Sequence, residues 1–231
     1  MNNLHVEDSM SDERKSKHYL DKSGFVVLAD VIPDAIMDLR YYTDFNFVGT
    51  RIDSYEAPVA YLTKEAAFAL KNASDDLKQQ GYLIKIFDTY RPQSAVNHFK
   101  RWSKDFNVTE MKQYFYPDMD KSELFSSGYI SERSSHSRGA AVDLTIVDMA
   151  SGAELDMGST FDYFGQISHA ENTQGLTDEQ IHNRLILRKA MTDNGFRPIV
   201  TEWWHYMLKD EPYPDTYFDF PVTYPENDKP L

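Results

Sequence analysis

The chain has 231 residues, no cysteine and a formal net charge of -13. Without cysteine it forms neither disulfides nor thiolate metal sites, so a bound metal must use histidine, aspartate or glutamate ligands. The negative charge opposes binding to a nucleic-acid backbone or to an anionic membrane surface. Hydrophobic residues make up 41% of the chain, which is enough for an ordinary folded core.

The first twenty residues are polar and rich in charge. We expect them to be a mobile acidic extension that precedes a single domain over residues 21–231. They contain no apolar segment of the kind found in signal peptides. The longest apolar run, Phe25 to Ala29, is far shorter than the ~20 residues needed to cross a bilayer. These features predict a cytoplasmic protein.

The pattern of apolar residues predicts alternating strands and helices, with loops and short helices over residues 105–133. The predicted elements are a buried strand at 25–32, a helix at 63–80, a strand at 82–88, a helix at 92–104, a strand at 140–147, a helix at 177–194 and two short strands within 196–208. Thr63 is the predicted N-cap of the first long helix, and Thr177 with Gln180 resembles a capping box. This order predicts an α+β fold with one mixed or antiparallel sheet and flanking helices.

Two short segments concentrate side chains that bind metals or transfer protons, SSHSRGAAVD and EWWH. They contain His136, Asp143 and His205, which can supply the three nitrogen and oxygen ligands typical of a catalytic zinc site. Glu202 would then remain as a general base. A buried carboxylate needs a cation, a metal or hydrogen bonds, so two satisfied structural carboxylates are an equally good interpretation at this point.

The spacing of these residues does not fit a regular strand. His136 and Asp143 are seven positions apart, and Glu202 and His205 are three apart, so each pair would lie on opposite faces. Gly139 permits a bend between the first two. Convergence of the four side chains therefore requires an irregular backbone.

Arg91 follows the predicted strand at 82–88 and opens the next helix. A fixed guanidinium there suits a developing oxyanion, and a structural pair with Asp88 is an equal alternative. Asp162 can bind an ammonium group, although a surface position is the default interpretation. The chain has no glycine-rich phosphate loop and no GxSxG nucleophile motif.

Several segments of the chain closely resemble the D-alanyl-D-alanine dipeptidases of the VanX type. The matching segments are DLRYYTDFNFVG, FDTYRPQSAVNHF, SSHSRGAAVDLT, DMGSTFDYF and EWWHYMLKDEPYPDTYFDFPV. The likeness extends from about Asp21 to Thr223. It implies an α+β zinc D,D-dipeptidase domain of the fold shared with zinc D,D-carboxypeptidases and hedgehog signalling domains.

The resemblance also implies roles for individual residues. These are zinc binding by His136, Asp143 and His205, base catalysis by Glu202, transition-state stabilisation by Arg91, contact with the substrate carboxylate by Ser134, contact with its ammonium group by Asp162 and Tyr41, and pocket lining by Trp203. It implies one Zn2+ per chain and a small dipeptide as substrate. The net charge predicts that the chain binds neither nucleic acid nor membrane, and the sequence leaves open whether it is a monomer or a homodimer.

Two other functions are compatible with the same motifs. One is a zinc D,D-carboxypeptidase that acts on longer peptidoglycan peptides outside the cytoplasm, against which the missing signal segment argues. The other is a non-catalytic zinc-binding interaction domain, which would need neither Glu202 nor Arg91. For the dipeptidase, the sequence leaves open whether the role is antibiotic resistance or the recycling of cell-wall fragments.

Overall fold

In the computed structural model of the chain, residues 21–124 and 126–225 are described, and the predicted extension at residues 1–20 lies outside them. The strands of the described part are Phe25–Val27 (β1), Ile36–Met37 (β2), Tyr61–Thr63 (β3), Tyr82–Asp88 (β4), Ala141–Asp148 (β5), Phe196–Pro198 (β6) and His205–Leu208 (β7). Its α-helices are Leu28–Val31 (α1), Lys64–Gln79 (α2), Gln93–Trp102 (α3), Lys112–Phe115 (α4) and Asp178–Asp193 (α5). The predicted order of strands and helices is confirmed from β4 onward.

Five strands form the central sheet in the order β2-β4-β5-β7-β6. β2 is parallel to β4, and the other neighbours are antiparallel, so the sheet is mixed. β1 and β3 form a separate two-stranded sheet. β5 lies in the middle of the central sheet and is buried along nearly all of its length, which matches its continuous apolar sequence. The predicted α+β class is confirmed.

The two long helices pack against each other, and α2 also contacts β4. The buried face of α2 carries small and aliphatic residues, among them Ala66, Leu70 and Leu77. α5 begins with the predicted capping box, in which Thr177 and Gln180 exchange hydrogen bonds between side chain and backbone. In the described part of the chain, none of the helices has the length and apolar character needed to cross a membrane.

Two details of the sequence prediction are wrong. The strand expected over residues 25–32 ends at Val27, because its partner β3 has only three residues, and the chain turns into α1. Leu28 begins that helix, is fully buried and donates its backbone N–H to Ala60. Thr63 occupies the N-cap position of α2, but its side chain makes no capping hydrogen bond.

Candidate active site

A cavity of about 190 Å³ lies where β4 ends, beside the first residues of β5 and β7. Asp143 on β5 is the register partner of Asp88 on β4 and of His205 on β7. Residues directly opposite each other on neighbouring strands project to the same face of a sheet. The pairing of three strands therefore brings two carboxylates and one imidazole together in a single row.

His136 reaches this row from a 3₁₀-helix, Ser135–Arg138, that precedes β5. Gly139 ends the 3₁₀-helix with φ 78°, a left-handed conformation that favours glycine. A β-carbon at this position would lie 2.3 Å from the ring of Phe25. Because of the bend at Gly139, His136 and Asp143 do not lie on one regular strand. Their separation of seven positions therefore does not prevent the two side chains from facing the same site.

Three ligand atoms converge at the base of the cavity. The Nε2 of His136 lies 3.0 Å from the Nδ1 of His205 and 3.2 Å from Oδ2 of Asp143. The same Nδ1 lies 3.0 Å from Oδ1 of Asp143. All three residues are buried. Tetrahedral coordination with bonds of about 2.0–2.1 Å places ligand atoms roughly 3.3 Å apart, so the donor set fits a zinc ion.

Each imidazole is oriented by a second contact. The Nδ1 of His136 lies 2.6 Å from the carbonyl oxygen of Thr89. Because a carbonyl only accepts, Nδ1 carries the proton, and the lone pair of Nε2 faces the other ligands. The Nε2 of His205 lies 3.1 Å from the hydroxyl of Ser135. Such contacts fix the tautomer and the ring plane of metal-binding histidines.

The two carboxylates near the histidines have opposite electrostatic character. Burial opposes ionisation of Asp143, but the adjacent His136 and His205 outweigh it and hold the pKa of this carboxyl well below its usual range. Burial raises the pKa of Glu202 to about 7, against the influence of His205. The carboxylate of Glu202 lies 3.8 Å from the Nδ1 of His205 and lines the cavity. Asp143 therefore suits a permanent ligand, and Glu202 suits a proton acceptor.

Arg91 lines the cavity and is held on two sides. Its Nε donates to Asp88 at 2.9 Å, and its Nη2 lies 3.3 Å from Asp143. Its guanidinium also lies over the ring of Tyr41, 4.8 Å from the centroid. The two interpretations of Arg91 from sequence are therefore compatible, because the pair with Asp88 fixes a cation that faces the cavity.

At another part of the cavity wall, the hydroxyl of Tyr41 donates to Asp162 at 2.9 Å. Asp162 is buried at a positive φ of 61°, and its carboxylate forms no ion pair within residues 21–124 and 126–225. Burial raises the pKa of Asp162 well above its usual range. Ser134 also lines the cavity, and its hydroxyl accepts from the backbone N–H of His136.

The sequence of the chain matches a known protein family over most of its length. The model of the D-ala-D-ala dipeptidase family matches residues 21–223. The chain belongs to this family. It is 40% identical over 199 residues to a D-alanyl-D-alanine dipeptidase of Enterococcus faecium, a match that covers 86% of this chain and 98% of that relative. It is 38% identical over 198 residues to a D-alanyl-D-alanine dipeptidase of Streptomyces coelicolor, a match that covers 86% of this chain and 98% of that relative.

Of the nine site residues predicted for a member of the D-ala-D-ala dipeptidase family, Trp203 is the one that does not line this cavity. Its indole N–H donates to Ser159 at 2.9 Å, and its ring contacts Trp204. The chain turns at Trp203 and Trp204, so Glu202 faces the active-site cavity and Trp203 lines a different one. A contact between Trp203 and the substrate stays a prediction from the sequence.

The structure gives Asp88 a second contact besides the one with Arg91, and it adds Tyr55 and Ser135 to the surroundings of the site. Asp88 accepts hydrogen bonds from Arg91 and, at 2.6 Å, from the hydroxyl of Tyr55. Ser135 contacts His205, as described above. The position of Asp88 at the end of an apolar strand was a signal for its role, whereas Tyr55 lies 33 positions away and its contact depends on the tertiary fold.

Proposed function

We propose that this chain hydrolyses the dipeptide D-alanyl-D-alanine with one zinc ion held by His136, Asp143 and His205. The observation that carries the proposal is that three adjacent ligand atoms and the buried carboxylate of Glu202 share one cavity. The names of the relatives supply the substrate. A zinc ion bound there supplies Lewis acidity, which makes water a nucleophile near neutral pH and polarises the peptide carbonyl.

The protein side chains supply the proton transfer and the charge stabilisation. A base with a pKa of about 7 is suited to accept a proton from water and to return it to the leaving amine, and Glu202 has this character. Arg91 is held by Asp88 with its guanidinium toward the cavity, where it can donate to the developing oxyanion. Loss of one such donor typically slows catalysis by about 10²–10³-fold.

Recognition of both ends of the substrate accounts for a preference for dipeptides. Asp162, with its Tyr41 hydrogen bond, offers a buried negative charge to the substrate ammonium group. Ser134 is our proposed contact for the free carboxylate. A longer peptide would present an amide to Asp162 and leave that carboxylate without a cation, which costs affinity. The cavity is also smaller than the roughly 300–1,000 Å³ of pockets for drug-sized ligands.

The wider setting of this activity stays a prediction from the sequence. It includes the cytoplasmic location, the monomeric or homodimeric state and the lack of binding to nucleic acid or membrane. The choice between antibiotic resistance and the recycling of cell-wall fragments depends on the genes expressed together with this one. The proposed chemistry is the same in both roles.

The proposal is tested by incubating the purified chain with D-Ala-D-Ala, L-Ala-L-Ala and a pentapeptide that ends in D-Ala-D-Ala. We expect alanine release from the first compound alone, loss of this activity with a chelator and recovery with zinc. Elemental analysis should find one zinc per chain. Release from the pentapeptide would identify a carboxypeptidase instead. Bound zinc without turnover of any compound would identify a non-catalytic domain.

A further inference from the structure

A second cavity, of about 150 Å³, lies between α5, residues 170–173 and the segment from Trp203 to Tyr206. Tyr206 follows the proposed metal ligand His205 on β7, so its side chain points to the opposite face of the sheet. None of the residues that line this cavity lines the active site. The two cavities are therefore separate sites on either side of one short segment.

The second cavity is lined by a buried cation that is held by backbone carbonyl groups. Arg184 on α5 is 5% exposed, and its guanidinium donates to the carbonyl oxygens of Met157, Ile167 and His169 at 2.7, 2.8 and 3.2 Å. In the described part of the chain, no carboxylate forms an ion pair with it. Burial lowers the pKa of Arg184 to about 10, against the opposing influence of Tyr206 and Asp156. Three dipoles thus hold a positive charge at the cavity wall.

Two further groups complete a site for an anion. Tyr206 is 2% exposed, and its hydroxyl makes no hydrogen bond to any residue within 21–124 and 126–225. At the wall of the cavity, a hydroxyl without a protein partner can donate to a ligand. Arg188 lies one helical turn after Arg184 and lines the same cavity, where it pairs with the exposed Glu171. Glu171 also lines the cavity, so an anionic ligand would displace its carboxylate from Arg188.

We propose that this cavity binds a small carboxylate that carries a short aliphatic chain. The guanidinium of Arg188 and the hydroxyl of Tyr206 offer donors that a carboxylate accepts, and the fork of Arg188 matches its two oxygens. Arg184 adds a positive charge beside them, while its own nitrogens donate to the three carbonyl oxygens. The walls formed by Trp203 and Leu185 are apolar and receive the aliphatic chain. A cavity of this size accommodates a molecule with only a few heavy atoms, which excludes peptides.

The test uses the indole N–H signals of the zinc-loaded, full-length chain, which has three tryptophans. The Trp203 signal is assigned in a ¹⁵N–¹H correlation spectrum by its loss in Trp203→Phe. We expect sodium butyrate to shift this signal saturably, and sodium acetate to do so more weakly. Each additional buried methylene should tighten binding by about fourfold. Because the signal belongs to a ring that lines the second cavity, it distinguishes this binding from binding to zinc.

Three variants locate the site. Arg188→Gln and Tyr206→Phe should each weaken butyrate binding by about tenfold or more, since each removes a hydrogen bond to a charged group. Lys189→Gln removes a cation from the next position of α5, outside this cavity, and should leave binding unchanged. The dispersion of each spectrum reports whether the variant is folded. Three results would overturn the proposal. The first is that butyrate causes no saturable shift in the unsubstituted chain, and the second is that all three variants bind butyrate with equal affinity. The third is that inorganic phosphate shifts the signal and butyrate does not.

Discussion

The hydroxyl of Tyr41 donates a hydrogen bond to Asp162 across 121 positions of sequence, and it is a neutral partner for a buried carboxylate. One neutral hydrogen bond relieves only part of the desolvation cost of a buried charge. The fold therefore keeps a destabilising group at the cavity wall. Natural proteins retain such groups where function requires them, and here the function we propose is the capture of an ammonium group.

Asp162→Asn should stabilise the metal-free chain, and increasingly so as pH rises. Burial raises the pKa of Asp162, so above about pH 4 the folded state binds this proton more tightly than the unfolded state does. In the unsubstituted chain, Asp162 therefore lowers the free energy of unfolding by up to about 1.4 kcal/mol for each unit of rising pH. Asparagine has no such proton and removes this dependence. Asparagine also tolerates the positive φ and can accept from Tyr41.

The measurement for Asp162→Asn is the free energy of unfolding from denaturant titrations between about pH 5 and about pH 8. Asp215→Asn, at an exposed position, is the matched control, and its free energy of unfolding should follow that of the unsubstituted chain over this pH range. A difference between Asp162→Asn and the unsubstituted chain that is constant with pH would contradict the assignment.

Glu202→Gln should reduce kcat for D-Ala-D-Ala by about 10²–10⁴-fold, because glutamine cannot accept a proton. The zinc content should stay the same, since Glu202 is not one of the three converging ligands. In the unsubstituted enzyme kcat/KM should fall as pH drops through the pKa of this base, about 7 in the metal-free chain and lower once zinc adds positive charge. Near-normal turnover of the zinc-loaded variant would exclude Glu202 as the base.

Ser135→Ala should weaken zinc binding by about 10–100-fold, because the serine hydroxyl contacts the outer nitrogen of His205. Ser137 is a matched control in the same 3₁₀-helix, since its buried hydroxyl makes no hydrogen bond. Ser137→Ala should therefore leave the affinity unchanged. Zinc affinity is measured by competition with a chromophoric chelator. Equal affinities in the two variants would show that the contact at Ser135 does not orient the ligand.

Arg91→Lys should reduce kcat/KM by about 10²–10³-fold although it conserves the charge. A lysine ammonium lacks the planar fork that lets Arg91 bond to Asp88 and Asp143 together while facing the cavity. Steady-state kinetics measure the effect, and an unchanged zinc content shows that the metal site is intact. If Arg91→Lys retains most of the activity, a positive charge alone is sufficient at this position.

The sequence predicted the chemistry of the site better than its geometry. The likeness of SSHSRGAAVD and EWWH to a known family assigned His136, Asp143, Glu202 and His205 to one site. Strand periodicity alone placed His136 on the face opposite Asp143, and Glu202 on the face opposite His205. In the structure, the left-handed bend at Gly139 and the register between β5 and β7 bring these side chains to one site. Neither feature is visible in local periodicity, because register is set by contacts between distant segments.

Contacts between distant segments also limited the prediction of other parts of the fold. The strand predicted over residues 25–32 was too long, because its length depends on the short partner β3. The position of Trp203 beside a second cavity was not visible in the sequence, because the direction of a side chain in an irregular segment depends on packing. The long helix α5 and the buried strands β4 and β5 were predicted nearly to the residue, since their signals are local and repeated.

The row formed by Asp88, Asp143 and His205 links metal binding to correct strand alignment. A slip of one residue between β5 and β7 would turn Asp143 or His205 to the other face and abolish the three-ligand site. The zinc ion that we propose would therefore bind the properly folded chain alone, and its binding would add to stability by mass action. On this proposal, a cell starved of zinc would lose the protein to its proteases as well as losing the activity itself.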